Sequence, residues 1–179
     1  GSVVAIGAYA NDGGGNASGH VRIYENKNGT WTQIGSDIDG ESSYDYSGHS
    51  VSLSSDGSVV AIGAYANDGG GSNSGHVRVY ENNNGTWTQI GSDIDGESSY
   101  DYSGYSESGS AVSLSGDGSV VAIGAYANDG GGNASGHVRI YENDNGTWTQ
   151  IGSDIDGESS SDESGYSVSL SGDGSVVAI

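Results

Sequence analysis

Apolar and polar positions along this chain fall into short runs, and no stretch shows the 3.6-residue period of a helix. Four such runs, Val3–Ala8, His20–Glu25, Thr30–Ile34 and Ser50–Ser54, are each bounded by Gly, Asn, Asp or Ser, which predicts four β-strands. In the last of them Val51 and Leu53 alternate with Ser50, Ser52 and Ser54, giving one apolar face and one small polar face. The first run, VVAIGA, is apolar on both faces, as expected of a strand held between two neighbouring sheets.

The pattern then repeats. GSVVAIGAYANDGGG begins at Gly1, Gly57 and Gly118, and GSVVAI returns at Gly174, with spacings of 56, 61 and 56 residues. The units are therefore 1–56, 57–117, 118–173 and the opening of a fourth at 174–179, the second carrying five extra residues around Glu107 to Ala111. Asn28-Gly29, Asn84-Gly85 and Asn145-Gly146 stand between the second and third runs, where a type I′ hairpin needs two residues of positive φ. Asp56-Gly57, Asp117-Gly118 and Asp173-Gly174 are expected to turn in the same way. Four antiparallel strands per repeat make an all-β chain of β-propeller blades, about three of them here, with the Ser50–Ser54 run innermost. A propeller closes with roughly four to eight blades. The repeats are thus expected to belong to a longer array or a filament, completed by more chain or by other copies. The first blade lacks an inner strand, the last is half a blade, and Gly1 is preceded by neither an initiator Met nor a signal pattern, so the chain reads as a piece of something longer.

Composition narrows the function. The formal net charge is -20, with 24 acidic residues against 4 basic ones, which leaves nothing to neutralise a phosphate backbone and excludes nucleic acid as a partner. So acidic a surface repels itself unless cations screen it, making calcium the cofactor to look for. The absence of Cys says nothing about compartment, and no apolar run is long enough for a membrane span.

The candidate metal residues lie in SDIDGESSYDYSG and its copies: Asp37, Asp39, Glu41 and Asp45; Asp93, Asp95, Glu97 and Asp101; Asp154, Asp156, Glu158 and Asp162. Alternating carboxylates before a Gly resemble the start of a calcium loop, yet Asp and Gly also simply make turns in a solvated acidic loop, and both readings stand. Asn16, Asn28, Asn84, Asn133 and Asn145 occupy N-glycosylation sequons in expected loops, three of them in the Asn-Gly-Thr that a hairpin itself favours. Tyr44, Tyr46, Tyr100 and Tyr102 flank the acidic loops and are the candidates for ligand or subunit contact. Trp31, Trp87 and Trp148 recur once per blade and are expected to pack between blades. Arg22, Arg78 and Arg139 are expected to link blades through acidic loops. His20, His76 and His137 recur once per repeat, which is expected to hold them too far apart to converge on zinc; like the isolated His49 they read as structural. No nucleophile elbow, singular carboxylate pair or phosphate-cradling glycine loop stands out, so no enzyme is expected.

The unit SG-[HY]-SVSLS-x-DG-SVVAIGA resembles the FG-GAP repeat of integrin-α-type β-propellers, with Ser47-Gly48 in the place of FG and Gly7-Ala8 or Gly63-Ala64 in the place of GA. Tyr9, Tyr65 and Tyr126 replace the proline. The flanking SGHVR-[IV]-YEN-x-NGTWTQIGSDIDGE is similar to tandem repeats of large surface and secreted proteins. The resemblance implies propeller blades, an extracellular or cell-surface setting and often calcium. The family's calcium loop lies between the first two strands, where this chain has only Ser54-Ser55-Asp56-Gly57, too short to wrap an ion needing six to eight oxygens. The function expected is an extracellular structural or adhesive repeat protein, with a self-assembling filament subunit as one form of it. The alternative is a carbohydrate- or calcium-dependent binding module. Its partners would be further copies or repeats, or glycans.

Overall fold

The computed structural model describes residues 2–97, 109 and 111–179, and among these there are strands and turns but no helix. Strands β1 (Val3–Ala8), β2 (His20–Lys27), β3 (Thr30–Gln33) and β4 (Ile38–Asp39) form the first sheet. The second comprises β5 (Ser50–Leu53), β6 (Val59–Ala64), β7 (His76–Asn83), β8 (Thr86–Gln89) and β9 (Ile94–Asp95). The third repeats it as β10 (Ala111–Leu114), β11 (Val120–Ala125), β12 (His137–Asp144), β13 (Thr147–Gln150) and β14 (Ile155–Asp156). A two-stranded sheet of β15 (Ser169–Leu170) and β16 (Val177–Ala178) follows. All pairings between these strands are antiparallel, and the sheets are blade-like.

The two kinds of turn differ. Asn28 and Gly29 both have positive φ, 54° and 89°, and the pairs at Asn84 and Asn145 repeat this, as the tight hairpin requires. Asp-Gly does not follow suit: Gly57 has a φ of 76° and Asp56 is not left-handed. The Gly57 amide donates to the Ser54 carbonyl at 3.0 Å, closing a turn in which the Asp56 carboxylate accepts from the Ser58 amide and from the Ser54 and Ser58 hydroxyls. The carboxylate rather than a second left-handed residue shapes this turn.

The outer edge of each full blade is also more than one strand. β8 pairs with the distal half of β7, Tyr80 facing Gln89, while β9 pairs with its proximal end, His76 facing Asp95. The Ile-Asp pairs read from sequence as part of a loop are thus strand, because Ile38 and Ile94 bury their side chains in the core at 7% and 6% exposure.

That core lies between sheets. Val21, Ile23 and Ile38 of the first pack against Val60, Ile62 and Tyr80 of the second. Ala61, Val77, Val79 and Ile94 pack on the other side against Leu114, Val121 and Ile123 of the third. Both faces of β6 are therefore used, which is why VVAIGA carries no polar alternation. On the inner strands the serines cross the gap: the Leu114 amide donates to Ser52 Oγ at 3.0 Å, the Leu170 amide to Ser113 Oγ at 2.9 Å, and Ser50 Oγ to the Gly109 carbonyl at 2.6 Å.

Candidate functional site at the blade junctions

The FG-like and GA-like glycines meet at these junctions. Gly7 and Gly48 lie so close that a Cβ on Gly7 would collide with the Gly48 carbonyl, and Gly63 stands in the same relation to Gly109. The Gly48 amide donates to the Gly63 carbonyl at 3.0 Å, tying this contact to the next sheet. The motif is thus a packing requirement, since only glycine lets the two backbones approach.

Farther out, Trp87 Nε1 donates to the Ile34 carbonyl at 3.0 Å and Trp148 Nε1 to that of Ile90 at 2.9 Å. Both rings pack into the inter-sheet cores, as expected. Trp31, the copy in the first sheet, is 49% exposed.

The acidic segments are divided rather than wrapped round one point. Asp37 stays in its own blade, accepting from Arg22 and Gln33 at 2.9 and 2.7 Å, and the Arg22 hydrogen bond holds its carboxyl below the usual range. Asp39 sits on β4 opposite His20 and lends its carbonyl to Arg78 of the next blade at 2.9 Å. Asp45 is 4% exposed and accepts from the Ser42 amide and the Asn67 side chain at 2.9 and 3.0 Å. Glu41 leaves its neighbours altogether and pairs with Arg78 at 3.5 Å. The side chains of Asp37, Glu41 and Asp45 therefore go to different partners, and Asp39 meets Arg78 only through its backbone carbonyl.

A different set converges. Glu41 of the first blade meets His76 and Asp93 of the second, their ligating atoms all within 4.8 Å of one another, and Glu97, His137 and Asp154 do the same one junction later. The histidines do stay one to a junction, as expected, but His76 and His137 are each joined by a carboxylate from their own blade and one from the blade before, a convergence of ligands that one His per blade did not suggest. The sequence hid this because the Glu and His are 35 and 40 residues apart and meet only across two sheets. The once-per-repeat recurrence of both was the available signal.

His76 is 1% exposed, neither of its ring nitrogens has a hydrogen-bond partner, and Nδ1 points at Asp93 Oδ2, 3.7 Å away. Burial, with Arg78 beside it, lowers its pKa to about 4. His137 Nδ1, also unpartnered, faces Asp154 at 3.8 Å, and burial lowers that imidazole too. Arg139 binds Asp154 through Nε and Nη2, both at 2.9 Å, and pairs with Glu97 across the junction. Arg78 and Arg139 link blades through acidic residues, as expected, whereas Arg22 pairs with Asp37 of its own blade. Among the remaining candidates, Asp95 is exposed, Asp156 lies 4.0 Å from His137, Glu158 is exposed on the last full blade, and Asp162 caps the Ser159 amide at 2.7 Å. Asp101, Tyr100 and Tyr102 lie outside the described residues.

Tyr44 is 57% exposed, whereas Tyr46 is half-buried and stacks on Tyr65 with centroids 5.3 Å apart. His49 presents its edge to Tyr9 and Tyr65 at 5.6 and 4.7 Å, making a four-ring surface cluster. The sequon asparagines Asn16, Asn28, Asn84, Asn133 and Asn145 are all exposed. No helix among the described residues is long and apolar enough to cross a membrane.

Comparison with known proteins places this geometry. Residues 37–80, which run from Asp37 across the first junction to Tyr80, match the FG-GAP repeat. No curated protein matches the chain. Among solved structures, a 6-phosphogluconolactonase candidate from Bacteroides uniformis is 15% identical with a TM-score of 0.49, covering 76% of this chain and 34% of that one. The periplasmic gluconolactonase PpgL from Pseudomonas aeruginosa is 14% identical with a TM-score of 0.49, covering 84% and 37%. The chain therefore spans about a third of the length of these structures. Both neighbours bear the names of lactonases, so the exclusion of an enzyme drawn from the lack of a recognisable catalytic motif is withdrawn. At this identity the likeness assigns no activity to this chain.

Proposed function

From an FG-GAP-type repeat as premise, we propose that this chain is a structural or adhesive repeat protein of the extracellular space whose blades assemble in series. One observation carries the reading: both junctions between full sheets are built from the same residues and share a Trp-to-carbonyl bond and a Glu–Arg pair, and the outer blades expose the corresponding residues. Trp31 and Arg22 on the first blade correspond to Trp87 and Arg78, while Ile151 and Glu158 on the last correspond to the Ile34 carbonyl and Glu41 that receive them. A heterologous contact of this kind repeats head to tail, closing into a ring where the rotation between units permits and running on as a filament where it does not. The partner is another copy or a further repeat, and the exposed sequons suit a surface setting.

Sedimentation velocity over a concentration series, with electron microscopy of the same material, tests this. Head-to-tail oligomers that Trp31→Ala shortens are expected; isolated particles at every concentration would overturn it. A second reading, carbohydrate binding, is supported by the Tyr9, Tyr46, His49 and Tyr65 rings, which offer exposed faces for sugar stacking. Glycan-array binding that Tyr9→Ala abolishes would favour it over the array.

A further inference from the structure

We infer that each blade junction is a binding site for a divalent transition metal of the zinc type, with Glu41, His76 and Asp93 as ligands at the first junction and Glu97, His137 and Asp154 at the second. The site is distinct from a calcium loop in position and in donors, because it spans two blades and includes an imidazole.

Four observations converge. First, the donors are already gathered: a tetrahedral ion with bonds of about 2.0 Å holds its ligand atoms about 3.3 Å apart, so sets within 4.8 Å close by small side-chain rotations. Second, His76 is fully enclosed with both ring nitrogens unpartnered. A buried imidazole with no hydrogen bond is costly, and a metal on Nδ1, the nitrogen facing Asp93, would satisfy one of the two nitrogens. His137 leaves the same atom unpartnered at the second junction. Third, the charge is unbalanced: Glu41, Asp45 and Asp93 surround the imidazole against the single guanidinium of Arg78. Fourth, there is a way in. A cleft lined in part by Glu41, Asp45, Asp68 and Asp93 opens on both carboxylate donors of the first site, so an ion reaches them along further carboxylates. One imidazole and two carboxylates leave a fourth position for water, the donor mixture that suits zinc better than the all-oxygen shell calcium takes.

The outer blades carry the two halves of the same site. His20 Nδ1 lies 3.5 Å from Asp37 on the first blade, and Glu158 is exposed on the last. If copies dock in series, as the array reading holds, Glu158 of one and His20 with Asp37 of the next complete a further site, and zinc then favours the longer species.

Equilibrium dialysis of the full chain against zinc chloride, at a dilution where it is monomeric, tests the site independently of assembly. Two equivalents per chain are expected, falling to one in Glu41→Gln and to one in Glu97→Gln, both at exposed positions whose folding circular dichroism verifies. Cobalt(II) substituted in the same protein should show the visible bands of a nitrogen-ligated ion, lost at the first site in His76→Gln. No zinc bound at millimolar concentration would overturn the inference, as would stoichiometry unchanged in both glutamate variants or full displacement by equimolar calcium. Two equivalents bound by a chain that stays as isolated particles at every concentration would leave the site standing and remove the array reading instead.

Discussion

Trp87 reaches across the gap between two sheets to donate its indole N–H to the carbonyl of Ile34, 53 residues earlier, at 3.0 Å. The same bond joins Trp148 to Ile90. One side chain thus fills the inter-sheet core and satisfies a carbonyl of the neighbouring blade. Trp87→Ala should cost about 3 kcal/mol, and Trp87→Phe, which keeps the ring and loses the bond, about 1 kcal/mol. Trp31→Ala should change the stability of the isolated chain far less, since Trp31 is 49% exposed. Urea unfolding of the three variants measures this; equal losses for Trp31 and Trp87 would refute the junction role.

Gly63 and Gly109 make the FG-to-GA contact of the second junction. Gly63→Ala should destabilise by roughly 2 kcal/mol or more, because the new methyl meets backbone and the sheets must part. Gly29→Ala supplies the contrast: it meets no atom within 4 Å, and only its φ of 89° opposes the change, at about 1 kcal/mol. Thermal melts should rank the two in that order.

Ser52 Oγ receives the amide of Leu114, a residue 6% exposed, across the inner strands. Ser52→Ala strands that N–H and should cost about 1 to 2 kcal/mol. Hydrogen exchange at the Leu114 amide should accelerate in the variant; protection unchanged from the parent would show that the serine is decoration.

The Asp-Gly turns govern acid sensitivity. Hydrogen bonds from the Ser119 amide and the Ser115 and Ser119 hydroxyls lower the pKa of Asp117 to about 2, and those from Ser171 and Ser175 do the same for Asp173. A carboxyl depressed in the folded state stabilises fully above its unfolded pKa of about 3.9 and loses that contribution as pH falls toward 2. The melting temperature should therefore drop between about pH 4 and pH 2. Asp117→Ala should lower it at pH 6 and converge with the parent near pH 2; a difference that persists undiminished at pH 2 would place the effect in packing instead.

The strands, the Asn-Gly hairpins and the blade repeat were all legible in the sequence, because alternation, turn residues of positive φ and a fixed period are local properties of the chain. The packing of Trp87 and Trp148 was visible too, as one large aromatic per repeat, though not the exposure of Trp31. Strand β4 was not, since the sequence offers only Ile38 between two aspartates, and the decision to make it strand comes from the core that Ile38 enters. The carboxylates illustrate the same division. Their number and recurrence are written in the sequence, yet adjacency along the chain suggested that Asp37, Asp39, Glu41 and Asp45 act together. In a strand and the turn after it, neighbouring side chains diverge, so Asp37 goes to Arg22, Asp39 offers its carbonyl and Glu41 faces the next blade. Sequence determined that each repeat carries a His at the head of its HVR strand, one Arg and this acidic segment. Only the stacking of sheets decided that Glu41 stands with His76 and Asp93, because a contact between blades depends on the angle and spacing of two whole sheets, and no local pattern encodes either.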